Sequence, residues 1–288
     1  MTPTQNIIIG CMNWGAWGKQ LSTHSQAELI QFCLEQGNST FDHADIYGDY
    51  TTEAEFGLAW KESGVRREAF QLISKCGIQY VGKTRNNSIK HYNYSKEYII
   101  WSAEESLRNL QSEYLDTFLL HRPSPLMHPD EIAEAITALQ TSGKIREFGV
   151  SNFTPSQVEM ISSIIPVSVN QIEFSLTQNK AMYEGSLDQM LQKKIQPMSW
   201  SPLGKVFKEK TEQTDRIHAV LNVLAEKYAL TEDALLLSWI LQHPAHVSPV
   251  IGTTNKERIA NANRALETTL ELEDWFLLLA ASQGHKVP

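Results

Sequence analysis

Cysteine is scarce in this chain. Cys11, Cys33 and Cys76 are the three in 288 residues. They are too few for a disulfide framework and do not stand at metal-ligand spacing; free thiols fit a reducing compartment. Positive charge is short too: 25 Lys and Arg against 33 Asp and Glu leave a formal net charge of −8, with no block of like charge. That balance excludes general nucleic-acid binding, which needs a basic surface, but leaves room for a local anion site. Long apolar runs are missing as well. The longest, "ALLLSWIL" and "WFLLLAA", fall far below the ~20 residues a membrane helix requires. The opening "MTPTQNIIIG" shows neither a basic n-region nor a long apolar h-region, so no signal peptide and a cytoplasmic location are expected. Finally, "GCMNWGAWG" breaks the G-x-G-x-x-G spacing that would open a dinucleotide-binding sheet.

What is present is a rhythm. Short apolar runs alternate with longer amphipathic stretches: "NIIIG" (6–10), "STFD" (39–42), "FQLISK" (70–75), "DTFLLH" (116–121), "IREFGVS" (145–151), "VSVNQ" (167–171), "IQPMSW" (195–200) and "VSPVIG" (247–252). The intervening segments carry helix punctuation. Thr154, Pro155 and Gln157 read as N-cap, first-turn proline and capping-box partner. Thr51 or Thr52 opens a helix that Gly64 closes, and Ser95 caps one whose Ile99, Ala103, Leu107 and Leu110 share a face; Gly37 and Gly143 stand at C-terminal caps. Strand followed by helix implies parallel pairing with right-handed crossovers. Eight such units predict an α/β chain folded as a (β/α)8 TIM barrel, a single domain over 1–288, for which ~250 residues is typical.

In a barrel the carboxyl ends of the strands meet on one rim, where active sites are built. The residues there are Cys11 to Trp14; Asp42, His43, Asp45 and Tyr47; Lys75; His121 to Pro123; Ser151 to Phe153; Asn170 and Gln171; Trp200 to Pro202; and Gly252 to Thr254. Asp42, Tyr47, Lys75 and His121 form a chemical set. A phenol is a poor acid at neutral pH, but a neighbouring ammonium favours phenolate and lowers its pKa. A carboxylate beside the lysine keeps it charged and placed, and a histidine can orient a carbonyl oxygen or share the proton transfer. Such a set would protonate an alkoxide as it forms, which is what carbonyl reduction requires.

In the order "FDHADIYG", "LISK", "LLHRP", "FGVSNF", "NQIEFS" and "MSWSPLG", from Gly10 to about Arg264, the chain resembles the aldo-keto reductases, in particular a bacterial branch of oxidoreductases. The resemblance implies NADPH-dependent reduction of a small-molecule aldehyde or ketone. Tyr47 matches the family's general acid, Lys75 and Asp42 its support, and His121 the group that orients the carbonyl. It further implies that Trp200 stacks on the nicotinamide and that Ser151, Asn152 and Gln171 bond its carboxamide. Ser201, Pro202, Leu203 and Gly204 match the loop lining the pyrophosphate, and Cys11 and Met12 a contact after the first strand. Gly252, Thr253, Thr254 and Arg258 match the adenosine-phosphate site, where a helix N-terminus and an arginine fork suit a 2′-phosphate. The chain departs from the family's adenine clamp by carrying Asn261-Ala262.

Two further readings use the same residues. A redox-sensing regulatory protein could keep the fold and the cofactor with little turnover; the complete tetrad favours the enzyme. A Schiff-base lyase would use Lys75 as an amine without an acidic partner, whereas Asp42 supplies one. No metal site, nucleic-acid partner or membrane association is expected, and the chain reads as a monomer or weak homo-oligomer. The long segment "CGIQYVGKTRNNSIKHYNY" reads as a functional rim loop, with Tyr92 and Tyr94 as candidate pocket walls; Trp14, Trp17, Trp101 and Phe153 are further candidates for which a core or packing role stands equally open. That lining favours a flat, partly apolar carbonyl compound.

Overall fold

Every one of the eight apolar runs forms a strand. The computed structural model describes residues 6–287, so residues 1–5, read above for a leader, lie outside the described residues. The strands are β1 (Ile8–Gly10), β2 (Thr40–Asp42), β3 (Gln71–Cys76), the short β4 (Ile78–Gln79) and β5 (His91–Tyr92), then β6 (Leu115–Leu120), β7 (Ile145–Ser151), β8 (Val169–Glu173), β9 (Gln196–Trp200) and β10 (Ser248–Ile251). Eight of them close a barrel in the order β1-β10-β9-β8-β7-β6-β3-β2, while β4 and β5 make a separate antiparallel ribbon. β1, β2, β3, β6 and β7 pair in parallel, each with the next, as a strand–helix alternation requires.

The chain's contacts fall into two compact units, one of Ile8–Asn170 with Gly252–Lys256, the other chiefly Gln171–Ile251 and the chain from Glu257 onward. In the first, the strands alternate with α1 (Thr23–Glu35), α2 (Thr52–Ser63), α3 (Lys96–Asn109), α4 (Pro129–Thr141) and α5 (Pro155–Ser162). Local chemistry sets their ends. Ser95 accepts a hydrogen bond from the Tyr98 amide to start α3, and Ile99, Ala103, Leu107 and Leu110 are buried. Thr154 and Gln157 form the reciprocal capping box of α5. As read from the sequence, α2 opens at Thr52 behind Thr51 and ends at Gly64; the Thr52 hydroxyl has no partner, and Thr51 makes no side-chain cap bond but donates its hydroxyl to the Gly48 carbonyl at 2.9 Å. A left-handed turn just upstream, described below, has claimed the hydroxyl.

The second unit carries α6 (Ser186–Lys193), α7 (Glu212–Tyr228), α8 (Glu232–Leu241), α9 (Lys256–Arg264) and α10 (Leu272–Gln283). The run "ALLLSWIL" is α8, buried from Ala234 to Leu241 without a polar face. Trp239 stacks on Trp275 at 4.8 Å between ring centroids, and each indole N–H donates to the other residue's carbonyl, so Trp239 is buried and Trp275 half-buried with both indole N–H groups met. No helix among the described residues is long and apolar enough to cross a membrane.

Candidate active site

β3 brings a lysine inside by simple alternation. Successive strand residues face opposite sides. The Ser74 hydroxyl donates to Glu53 of α2, so Lys75 faces the other way, into the barrel. β2 pairs with β3 in register at Asp42 and Ile73, and the pairing continues past the strand: His43 N donates to the Ile73 carbonyl at 2.8 Å and Asp45 N to the Lys75 carbonyl at 3.0 Å. β6 follows the same way, His121 N donating to the Cys76 carbonyl at 2.9 Å. These ladders set Asp42, Lys75 and His121 at neighbouring strand ends.

Lys75 Nζ uses all three of its protons. It donates to Asp42 Oδ2 at 2.8 Å, to the His43 carbonyl at 2.8 Å and to Tyr47 Oη at 3.1 Å. The lysine side chain has no exposure. Burial opposes its charge, yet the Asp42 carboxylate and the Tyr47 oxygen outweigh it and raise its pKa. The ammonium is therefore permanent at neutral pH, which counts against Lys75 as a neutral Schiff-base amine.

Tyr47 departs from the sequence argument in one respect. Burial pushes its phenol up, and the lowering by Lys75 does not overcome this. The phenol rests protonated, a loaded donor whose phenolate, once formed, would meet the ammonium. His121 lies edge-on to it, with centroids 6.1 Å apart at 80°. Burial, then Lys75 and Arg122, hold its imidazole well below the usual range, so it is neutral, and its buried Nδ1 has no partner. His43 is fully buried against Phe56 with its ring pKa lowered to about 3 by burial and Lys75; it contributes its carbonyl, not its ring.

Around this set, the first unit also holds several residues expected to bind cofactor. Cys11 is fully buried, with its thiol pushed up by burial, and its amide donates to the Asp42 carbonyl at 2.9 Å; Met12 beside it is exposed. Ser151 and Asn152 end β7, where the Asn152 amide donates to the Ser151 hydroxyl at 2.8 Å from a backbone at φ +61°. Asparagine tolerates that left-handed conformation better than most residues. Asn170 donates to the Phe153 carbonyl at 3.0 Å and leaves its own amide oxygen buried without a partner. Gly252, Thr253 and Thr254 precede α9; the Thr253 hydroxyl accepts from the Asn255 amide at 3.2 Å. Asn13 Nδ2 donates to the Gly252 carbonyl at 3.2 Å, joining the loop after β1 to that segment, a role its place on the rim did not disclose.

The second unit holds the rest. Gln171 is buried, its amide 4.0 Å from Met198 Sδ, and Trp200 ends β9 partly exposed. Ser201 sits at φ +52° and its carbonyl accepts from the Gly204 amide at 2.8 Å. Gly204 is required there, since a Cβ would fall 2.0 Å from Thr177 Oγ1. Pro202 is buried, Leu203 partly so, and Arg258 is exposed on the first turns of α9.

Several aromatic expectations change. The segment after Lys75 is not structureless: β4 and β5 pair within it. Tyr94 is buried, accepting from the Arg122 amide and donating to the Arg122 carbonyl at 2.5 Å, so it packs rather than lining a pocket. Tyr92 packs with Tyr47, Tyr50 and Tyr80 against the buried cluster of Ala44, Ile46 and Ile78. Trp14 and Phe153 are core. Trp17, 37% exposed, stays at the rim, with centroids 5.1 Å from Tyr80 and 6.4 Å from Tyr47. Asp45, named from the sequence among the rim residues, is a second buried acid: it accepts from the Tyr98 and Ser102 hydroxyls at 3.2 Å each and lies 3.9 Å from Arg85. Among the described residues no group of three or more His, Cys, Asp or Glu side chains is placed to hold a metal.

Comparison with known proteins adds to this geometry. Residues 6–281 match the model of the aldo/keto reductase family. The chain is 43% identical to an uncharacterized oxidoreductase, YcsN, of Bacillus subtilis (strain 168), over 95% of this chain and 94% of that protein. It is 36% identical to a 6-dehydroglucose reductase of Agrobacterium fabrum, over 98% and 95%. The fold matches the crystal structure of a thermostable aldo-keto reductase, Tm1743, with a TM-score of 0.81 at 24% identity, over 96% and 94% of the two chains.

Proposed function

The chain belongs to the aldo/keto reductase family, whose members reduce carbonyl groups with NAD(P)H, and from that premise we propose that it reduces an aldehyde or ketone to an alcohol with NADPH, using Tyr47 as general acid. One observation carries the reading: a fully buried ammonium bonded at once to Asp42 Oδ2, the His43 carbonyl and Tyr47 Oη. The bound nicotinamide supplies a hydride. As negative charge develops on the carbonyl oxygen, Tyr47 delivers its proton there, and the phenolate left behind faces Lys75. Asp42 and the His43 carbonyl keep that ammonium aimed, so little reorganisation accompanies the charge shift. Neutral His121 offers a hydrogen bond to the same oxygen without competing as a cation.

The residues present fit the cofactor. On the first unit the Ser151 hydroxyl, the Asn152 amide and the unpartnered, buried Asn170 oxygen supply the mixed donors and acceptor that a carboxamide needs. Cys11 and Met12 would flank them, and Gly252, Thr253 and Thr254 would take phosphate at the approach to α9. On the second unit we assign Gln171 and Trp200 to the nicotinamide, Ser201, Pro202, Leu203 and Gly204 to the pyrophosphate, and Arg258 to the 2′-phosphate that favours NADPH over NADH. The exposed Trp17 supports a substrate with a face to stack. The 6-dehydroglucose named for one relative makes a polyhydroxylated carbonyl compound the first to assay.

The test is Tyr47→Phe with NADPH binding followed by tryptophan fluorescence. Turnover should fall by a factor of about 10²–10⁴ while binding is kept. Turnover retained, or binding lost with it, refutes the assignment.

A further inference from the structure

The turn after Tyr47 runs left-handed through three successive residues: Gly48 (φ +61°), Asp49 (φ +59°) and Tyr50 (φ +69°). Glycine adopts this region freely, and a Cβ at Gly48 would fall 2.4 Å from Thr52 Oγ1. Aspartate and, above all, tyrosine do not, so such a backbone persists only where its surroundings over-determine it.

The two strained residues are held by their own side chains, and both reach the same segment. Asp49 Oδ2 accepts from the Lys83 amide at 2.7 Å and the Thr84 amide at 3.2 Å. The approach is close enough that a Cβ on Gly82 would lie 2.0 Å from Asp49 Oδ1. Tyr50 Oη accepts from the Tyr80 amide at 2.9 Å and donates to the Ile78 carbonyl at 3.3 Å, and the Arg85 guanidinium lies 3.6 Å over its ring. Tyr80, so anchored, is the neighbour of Trp17 at the rim. Upstream, the Tyr47 carbonyl accepts from the Thr51 and Thr52 amides at 3.2 Å each, so the turn dictates the orientation of the peptide that leaves Tyr47.

We propose that Asp49 and Tyr50 are positioning residues for Tyr47: by pinning the segment 78–84 onto the left-handed turn they hold the phenol within bonding reach of Lys75. The proposal rests on the reading of Tyr47 as general acid. Its physical basis is the narrow margin at the phenol. The Lys75–Tyr47 bond is 3.1 Å, longer than the two bonds to Asp42 and the His43 carbonyl. Relaxation of Asp49 or Tyr50 to negative φ would swing the outgoing peptide, and the longest of the three bonds would be lost first. The ammonium would keep its other two partners, and the acid alone would be misplaced.

The experiment compares Asp49→Ala, Asp49→Asn and Tyr50→Phe with the full-length wild type, alongside Tyr47→Phe. Asp49→Ala should lower kcat about tenfold or more with the NADPH dissociation constant within twofold of wild type. The alkaline limb of the kcat–pH profile should move upward, because a phenol parted from its ammonium loses the influence that lowers its pKa. Asp49→Asn keeps an acceptor oxygen and should restore both quantities, and Tyr50→Phe should fall between. Wild-type kcat in both Asp49→Ala and Tyr50→Phe overturns the proposal. So does a lowered kcat with an unmoved alkaline limb, which marks a structural role only. Full turnover in Tyr47→Phe instead refutes the acid assignment, a failure distinct from that of the brace.

Discussion

Asp42 and Asp45 stand three residues apart, both buried, and meet opposite surroundings. Asp42 ends β2 and faces Lys75, an ammonium at 2.8 Å. Asp45, in the loop beyond, faces α3 instead, where two hydroxyls donate to one oxygen, the Arg85 guanidinium stays 3.9 Å away and the other oxygen has no partner. Burial therefore pushes the Asp45 carboxyl up to about 7, against a lesser lowering by Arg85. Glu53, in the same buried layer and bonded to Ser74, is also raised by burial. The contrast teaches that burial alone does not make an acid functional. A buried carboxylate beside a fully buried cation organises charge for chemistry, while one among hydroxyls stores a proton and costs stability.

The contrast can be broken most forcefully at Lys75. Lys75→Met leaves Asp42 buried and uncompensated, so unfolding by urea should show a loss of about 3–5 kcal/mol, together with loss of turnover. The double variant Lys75→Met/Asp42→Asn should regain most of the stability and none of the activity. A single-variant loss below about 1 kcal/mol would show that the pair is effectively solvated. At Asp45 the prediction has the opposite sign. Its folded pKa lies above the unfolded one, so the native state binds more protons between pH 3.8 and about 7, and stability falls as pH rises through that window. Asp45→Asn should remove this dependence: relative to wild type its stability should climb by about 1–3 kcal/mol from pH 4 to pH 8. A difference that stays flat with pH refutes the assignment of a stored proton. The smallest effect belongs to Thr154→Ala, away from both acids, where loss of the capping box should cost about 1 kcal/mol equally at every pH. A pH-dependent cost there would mean that the titrating layer reaches further than Asp45 and Glu53.

Much of this arrangement was legible in the residues. The strand runs were visible because alternation and flanking turns are local signals, and Ser95 and Thr154 cap the helices expected of them. The strand-end rule then predicted the set that meets at Lys75. The direction of the Tyr47 pKa was not legible, since the sequence shows the ammonium neighbour but not the amount of water removed. Thr51 opens α2 as expected, but that its hydroxyl bonds backward to the Gly48 carbonyl was not legible, because the left-handed φ of Asp49 and Tyr50 is not announced by their residue types. Tyr94 read as a pocket wall because exposure, unlike side-chain chemistry, is not written in a residue's identity.

By itself, then, the sequence determined the alternation of strand and helix, the ends of several helices and the identity of the residues at each strand terminus, all of which follow from short-range sterics and hydrogen bonding. Only the tertiary structure decided which of two nearby aspartates meets a cation, which aromatics stay at the rim, and how the turn behind Tyr47 is strained and braced. Those outcomes depend on desolvation and on contacts between segments far apart in the chain, as where Asp49 meets the amides of Lys83 and Thr84.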